Sequence, residues 1–477
     1  MGRTALAAAV AAAVVSSGAM ADTTVSPDAR KDLGLTVYNG GTALVRDTRT
    51  VSVSAGRSVL SFTDVAAQIQ PETALLKGAP FEVLQQNFDF DLLSPQKLLE
   101  KAVGGTVQLY RINPASGEET HETATVLGAN NGVVLEVNGH IEAMDGVTGP
   151  NTRLVFDRLP PGLRSRPTLS MTVDSKAARS DDLMLTYLTG GLSWKADYVA
   201  NLAPDDKSLS LQGWITVTNT SGADYDDASL QVVAGQVNRV SQNYRRDMAA
   251  SAPAPMAKMA SAPSEESFFD YHLYTVPGRI TLADNQTKQL ALLEAPRIAG
   301  KRILESRGNG YWYWSRVGEI QPDHASITLK FENREANGLG MPLPGGVIRV
   351  YKEDSRGQAQ FVGEDNIDHT PKNEEVTLDL GQAFDVTVLR KQTDFRQTPK
   401  QDGQIAETTT SWQVSVKNGK KEAVDVRVVE PMQGDWTVTQ ESQPHVKESS
   451  TEAVWTVKVP AEGESGFTYT VVTRRVP

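Results

Sequence analysis

Apolar and polar residues alternate along much of this chain. Leu209, Leu211, Gly213, Ile215 and Val217 fall on one side of an extended backbone, and Ser210, Gln212 and Thr216 on the other. Successive strand side chains point to opposite faces, so this pattern predicts a half-buried strand. It recurs at Ile327-Leu329-Phe331 and Val376-Leu378-Leu380. In the C-terminal part it returns at Trp412–Val416, Val424–Val428, Trp436–Val438, Trp455–Val459 and Phe467–Val471. Hairpins are predicted between Leu35 and Phe62, with Asn39-Gly40-Gly41 as the tight turn. Three strands end in an asparagine that keeps the inward phase: Asn219, Asn333 and Asn418. Asparagine tolerates the left-handed backbone and bonds nearby main chain, so each is predicted to close its strand and start the turn.

Two stretches break the pattern. Ser94-Pro95 followed by Leu98, Leu99 and Ala102 predicts a short capped helix. From Gly104 the apolar runs Val107–Leu109, Ala124–Val126 and Val133–Val137 become short and turn tightly, as at Asn138-Gly139, which predicts a small barrel-like unit. The Ala, Ser, Pro and Met run within 248–267 has little to bury and is expected to be a mobile loop. The fold class expected is mainly β: multi-domain β-sandwiches with a barrel-like insert and few short helices. The expected division is a leader over 1–21, an N-terminal β domain over 22–102 and the insert over 103–160. A central sandwich over 161–395 and an immunoglobulin-like sandwich over 396–477 follow.

The first residues carry a different signal. Arg3, the apolar run Ala5–Val15 and the small residues before Asp22 match a secretory leader with cleavage after Ala21. The run is too short to span a bilayer, and every later apolar run is cut by charge, so no membrane span is expected after cleavage. The expectation is a periplasmic or secreted protein. Its net charge of −11 disfavours nucleic acid as a partner. The absence of cysteine excludes disulfides, thiolate zinc sites and a thioether lipid anchor.

Several separated segments resemble one family in order. They are YLTGGLSWKADYVANL, GWITVTNTSGADYDDASLQVVAG, PGRITLADNQTKQLALL, GLGMPLPGGVIRVYKEDSRG with FVGEDNIDHTP, and VSVKNGKKEAVDVRVVEP. From Leu185 onward the chain resembles bacterial exported proteins of domain of unknown function 4139, part of which is labelled mucoidy-inhibitor-like. The resemblance implies an envelope-associated, mostly β protein and brings no catalytic residues with it. This chain has no counterpart of the long coiled-coil insert carried by the mucoidy-inhibitor-like members.

Candidate chemistry is sparse. Ser94-x-x-Lys97 lacks the S-D-N and K-T-G elements of a penicillin-binding enzyme, and a helix cap accounts for the serine. Asn87, Asp89 and Asp91 lack the glycine and glutamate of a calcium loop, and Asp224, Asp226 and Asp227 read as a solvated acidic turn. The histidines His121, His140, His272, His324, His369 and His445 show no ligand spacing. Gly338-Leu339-Gly340 is followed by prolines that forbid a phosphate-binding helix, and Met248, Met256 and Met259 read as loop residues. No catalytic residue, metal or cofactor is assigned. Tyr311, Trp312, Tyr313 and Trp314 on a strand would put two rings on each face, one pair free to stack on a ligand. Arg153, Arg158, Arg164 and Arg166 form a basic cluster in an acidic chain. These eight residues are the binding candidates. The functional expectation is a non-catalytic protein that binds an envelope glycan or another envelope protein. The alternative is a hydrolase of an envelope polymer built on Asp365, Asp368 and His369.

Overall fold

The computed structural model describes residues 21–474 apart from 91–92, 131, 145–150, 159, 161–162, 236–262 and 400–404. The leader through residue 20, Asp91 and the three loop methionines lie outside the described residues. The protein is mainly β and is organised as two compact units. One comprises 1–193, 218–232 and 278–287, the other 194–217, 233–277 and 288–477.

The first unit is a two-sheet sandwich. One sheet is β1 (Ala21–Val25), β4 (Gly56–Thr63), β12 (Thr168–Ser175) and β6 (Phe81–Asp89), in that spatial order. The other runs from the strand Tyr225–Ala234 through β2 (Arg30–Tyr38), β3 (Thr42–Val53) and β13 (Arg179–Gly190) to β5 (Ile69–Lys77). Leu35, Val45 and Leu185 from one sheet and Leu60, Phe62 and Met171 from the other are buried, as the alternation requires. At the predicted β2–β3 turn Gly40 and Gly41 take φ of 96° and 79°, a backbone that side chains resist. A charged group bridges the two sheets. Buried Arg49 on β3 donates to the carbonyls of Val25 (2.7 Å) and Thr63 (2.9 Å) and to the Asp47 carboxylate, which Arg30 also grips. Burial alone would raise the Asp47 carboxyl; the two guanidinium groups outweigh it and hold that carboxyl below its usual range.

The insert leaves β6 and returns into β12. The helix α1 (Pro95–Ala102) starts as predicted, with Ser94 Oγ accepting the Lys97 N–H at 3.1 Å. Five antiparallel strands follow: β7 (Thr106–Ile112), β8 (Glu119–Gly128), β9 (Val133–Val137), β10 (His140–Met144) and β11 (Thr152–Val155). Their order is β10-β9-β8-β7-β11, so the sheet stays open and the barrel-like expectation is corrected. Leu99 of α1 packs with Val107, Leu109, Val126 and Leu135 on one face. A helix over that face buries it without the ends having to meet.

The second unit is built on a long sheet. Its order starts Ala359–Ile367, Gly346–Glu353, Leu192–Leu202, Ser208–Asn219, Gln286–Arg307, Glu319–Glu332 and continues Glu375–Pro399, Ile405–Asn418, Gly463–Arg474, Asp435–Glu441. Val424–Pro431 pairs with Glu452–Val459, and their Val426, Val428, Trp455 and Val457 pack against Trp412, Val414 and Val416. The end of the stretch expected to be a loop is strand: Ser264–Phe268 pairs with Tyr271–Thr275.

The three strand-end asparagines share one role. All are buried. Asn219 and Asn418 donate to the carbonyls of Ala223 and Glu422, each at 2.8 Å, and accept the N–H of Ser221 and Lys420, each at 3.0 Å. Asn333 donates to Met341 O (2.8 Å) and Pro371 O (3.0 Å) and accepts from Gly340 N–H at 3.0 Å. Each amide satisfies loop groups that could not otherwise be buried.

Candidate functional site

The two ends of the insert meet. Asp89 of β6 and Thr168 of β12 are register partners, and Leu93 N–H donates to Arg164 O at 2.8 Å. At this base a groove of about 620 Å³ opens between the insert's attachments and the sandwich. Its walls are Thr24 of β1 with Ser26, Pro27 and Asp28 just after it, Ser61, Thr63 and Asp64 at the end of β4, Leu93 before α1, and Leu163, Arg164, Ser165, Arg166 and Thr168 leading into β12. Strand alternation places Ser61 and Thr63 on the same face of β4, which is why hydroxyls repeat along the wall.

The groove balances its charges. Arg166 pairs with Asp64, whose φ of 58° turns the chain out of β4. Asp28 accepts from Ser26 Oγ at 3.2 Å. Arg164 is held more loosely: Nη2 lies 3.5 Å from Asp89 Oδ2, and its buried Nε donates to no group among the described residues. Among the described residues no aromatic ring lines the groove. A ligand there would be held by hydrogen bonds to hydroxyl, guanidinium and carboxylate groups.

The arginine cluster expected from sequence is therefore divided. Arg164 and Arg166 share the groove. Arg153 on β11 lies on the open face of the insert sheet, paired with Glu119, its guanidinium carbon 4.7 Å from the centre of the Tyr110 ring. Tyr110 in turn stacks on His121 at 5.2 Å. Arg158 is exposed in the segment after β11. The Tyr110–His121 stack went unnoticed in the sequence. Its signal is the polar phase of Thr106–Ile112, where position 110 opposes Arg153 and His121 in register.

The aromatic run in the second unit corrects the strand expectation. Gly310–Tyr313 is a 3-10 turn, capped by Asn309 Oδ1 accepting the Tyr311 N–H at 2.9 Å. Glycines on both sides of Asn309 and that side-chain cap favour a turn over continued extension. Tyr313 is fully buried, Trp312 packs on Trp412 with ring centres 6.2 Å apart, and Trp314 packs on the same core. Only Tyr311 projects, at 68% exposure. The paired rings expected on each face do not exist.

Beneath this turn lies a buried polar network missed in the sequence. Arg390 Nε meets Glu430 Oε1 at 2.7 Å, and Nη1 meets Ser306 Oγ at 2.8 Å and Asp323 Oδ1 at 3.1 Å. Tyr313 Oη donates to Glu430 Oε2 at 2.7 Å and lies 2.7 Å from Tyr469 Oη. Burial pushes both phenols well above their ordinary value, and the Glu430 charge adds to this, so they are neutral donors.

Two of the three residues named for a hydrolase, Asp365 and His369, are engaged with main chain. Asp365 accepts from the N–H of Asp379 and Asn366, each at 2.8 Å, and His369 Nδ1 accepts from Gly345 N–H at 3.0 Å. Among the described residues no group of three or more His, Asp or Glu side chains is placed to hold a metal ion.

No curated protein matches the chain. The family model described as "Domain of unknown function (DUF4139)" matches residues 183–475, a span that includes the Arg390 network and leaves the groove and the insert outside. The chain therefore belongs to the family of domain of unknown function 4139.

Proposed function

We propose that this protein is exported and works by binding, with a neutral, polyhydroxylated envelope glycan held in the groove at the base of the insert. One observation carries the reading: six hydroxyl side chains and two arginine and two aspartate residues converge on one groove. A sugar hydroxyl is both donor and acceptor, and such a wall carries groups of both kinds. The equal number of guanidinium and carboxylate groups favours a neutral ligand over a strongly anionic one. The apolar leader ending at Ala21 supports export.

The test is retention of the purified chain on isolated envelope glycan. Arg164→Ala and Asp64→Asn are expected to weaken retention by about tenfold or more, as loss of charge-assisted hydrogen bonds does. Unchanged retention in both variants, with unchanged thermal unfolding, would sink the groove as the site. Asp28 and Asp64 also give the hydrolase alternative its specific observation, since both carboxylates line the groove. Release of reducing ends from the same glycan, lost in Asp28→Asn, would establish that alternative instead.

A further inference from the structure

We propose that the free edge of β6 accepts an extended strand from a partner protein, one carrying basic and apolar residues. This surface meets the groove at Asp89, the partner of Arg164, and does not rest on the glycan reading. β6 is the terminal strand of its sheet, paired with β12 on one side and with no strand on the other among the described residues. β5 touches it through Gln86 Nε2 donating to Pro71 O at 2.9 Å, without a backbone ladder. An edge of this kind presents a row of backbone N–H and C=O groups that only another extended backbone can satisfy.

The inner layer is also unfinished there. Leu169, Met171 and Val173 of β12 are buried, and opposite them in register stand Phe88, Gln86 and Val83. Register partners share a face, so these three point toward the core. Gln86 and Val83 are nonetheless exposed, Val83 by 40%. Leu84, the extra residue of a bulge between two register pairs, is exposed by 42%. One added strand would cover the exposed apolar side chains Val83 and Leu84 along this edge.

Charge selects the occupant. Besides its bulge and its acids this edge has little to block pairing: Phe81–Asp89 contains no lysine, arginine or proline. It contains two acids, and Glu82 stands opposite Asp174 in register. Arg57 already pairs with Asp174 at 3.8 Å and Arg164 approaches Asp89 at 3.5 Å, so Glu82 is the acid of this edge without an ion pair among the described residues, and a cation on an added strand would meet it. A second copy of β6 would bring more acid and no base.

The probe is a synthetic peptide matching the nine residues of β6 in length, alternating lysine with valine and threonine. It is titrated into the full chain, with backbone amide exchange read over 82–89. Binding with protection of those amides is expected, along with loss of binding when alternate peptide nitrogens are methylated. Glu82→Lys and Val83→Lys alter exposed side chains and should each weaken binding by about tenfold. Failure of the peptide to bind, or equal binding to both variants, overturns the proposal. So does a dimer of the free chain that Val83→Lys dissociates, because the occupant would then be a second copy.

Discussion

Arg390 and Glu430 meet at 2.7 Å inside the second unit with each side chain no more than 2% exposed. Two charges taken out of water cost several kcal/mol each unless the partner and the surrounding hydrogen bonds are all present. Here Ser306, Asp323 and Tyr313 complete the set. Replacing Glu430 with Gln should cost about 3–5 kcal/mol, because a buried guanidinium loses its buried counter-charge and keeps only the half-exposed Asp323. The double change Arg390→Met with Glu430→Leu should cost less than either Arg390→Met or Glu430→Leu alone. Urea denaturation of the variants decides it, and additive losses would show that the pair is not coupled.

The asparagine geometry makes a second prediction. Asn333→Ala leaves the Met341 and Pro371 carbonyls and the Gly340 N–H without their partner. The expected loss is about 1–3 kcal/mol. Asn333→Asp should be worse, since aspartate keeps the acceptor but removes both donors and buries a charge. An aspartate variant as stable as wild type would mean that the loop carbonyls find other donors.

Ser94 distinguishes a cap from a nucleophile. Ser94→Ala should destabilise the start of α1 by about 1 kcal/mol, and Ser94→Asp should restore most of it. The measurement is amide exchange over Pro95–Ala102 in the three proteins. A serine-directed acylating probe should leave wild type unlabelled; covalent labelling at Ser94 would reverse the assignment.

These residues show what a sequence makes legible. Period-two alternation exposes strands directly, because burial on one face acts on every second residue, and it placed Leu209–Val217 and the C-terminal strands. The strand-end role of Asn219, Asn333 and Asn418 was legible for the same reason: each keeps the inward phase where a polar group must be satisfied locally. The aromatic run was misread because alternation of residue type says nothing where Asn309 and its flanking glycines bend the backbone. The groove was half legible. Arg164 and Arg166 stood out as cations in an acidic chain, but Thr24, Asp28, Ser61 and Asp64 lie about a hundred residues or more upstream. Pairing of β4 with β12 brings them together, and no local pattern records that register. Arg390 and Glu430 were hidden likewise, because each looks in sequence like any exposed charge on a strand.

His369 gives the protein a pH dependence of definite sign. Burial pushes its imidazole below the ordinary value, nearby His272 adds to the shift, and Asp368 opposes it. The geometry agrees, since Nδ1 accepts the Gly345 N–H at 3.0 Å and can do so only when unprotonated. The folded state therefore prefers neutral imidazole, while the unfolded chain takes up its proton near pH 6.5, the ordinary histidine value. Above that value the contribution to stability is fully present. As pH falls from there toward the lower folded value, the unfolded state binds more protons and stability is lost. His369→Asn keeps an acceptor for Gly345 but cannot titrate. Its unfolding midpoint should fall less steeply than that of wild type between about pH 7 and pH 5, a difference that isolates His369 from the other groups titrating there. Parallel curves would show that the Gly345 contact survives protonation and that His369 carries none of the dependence.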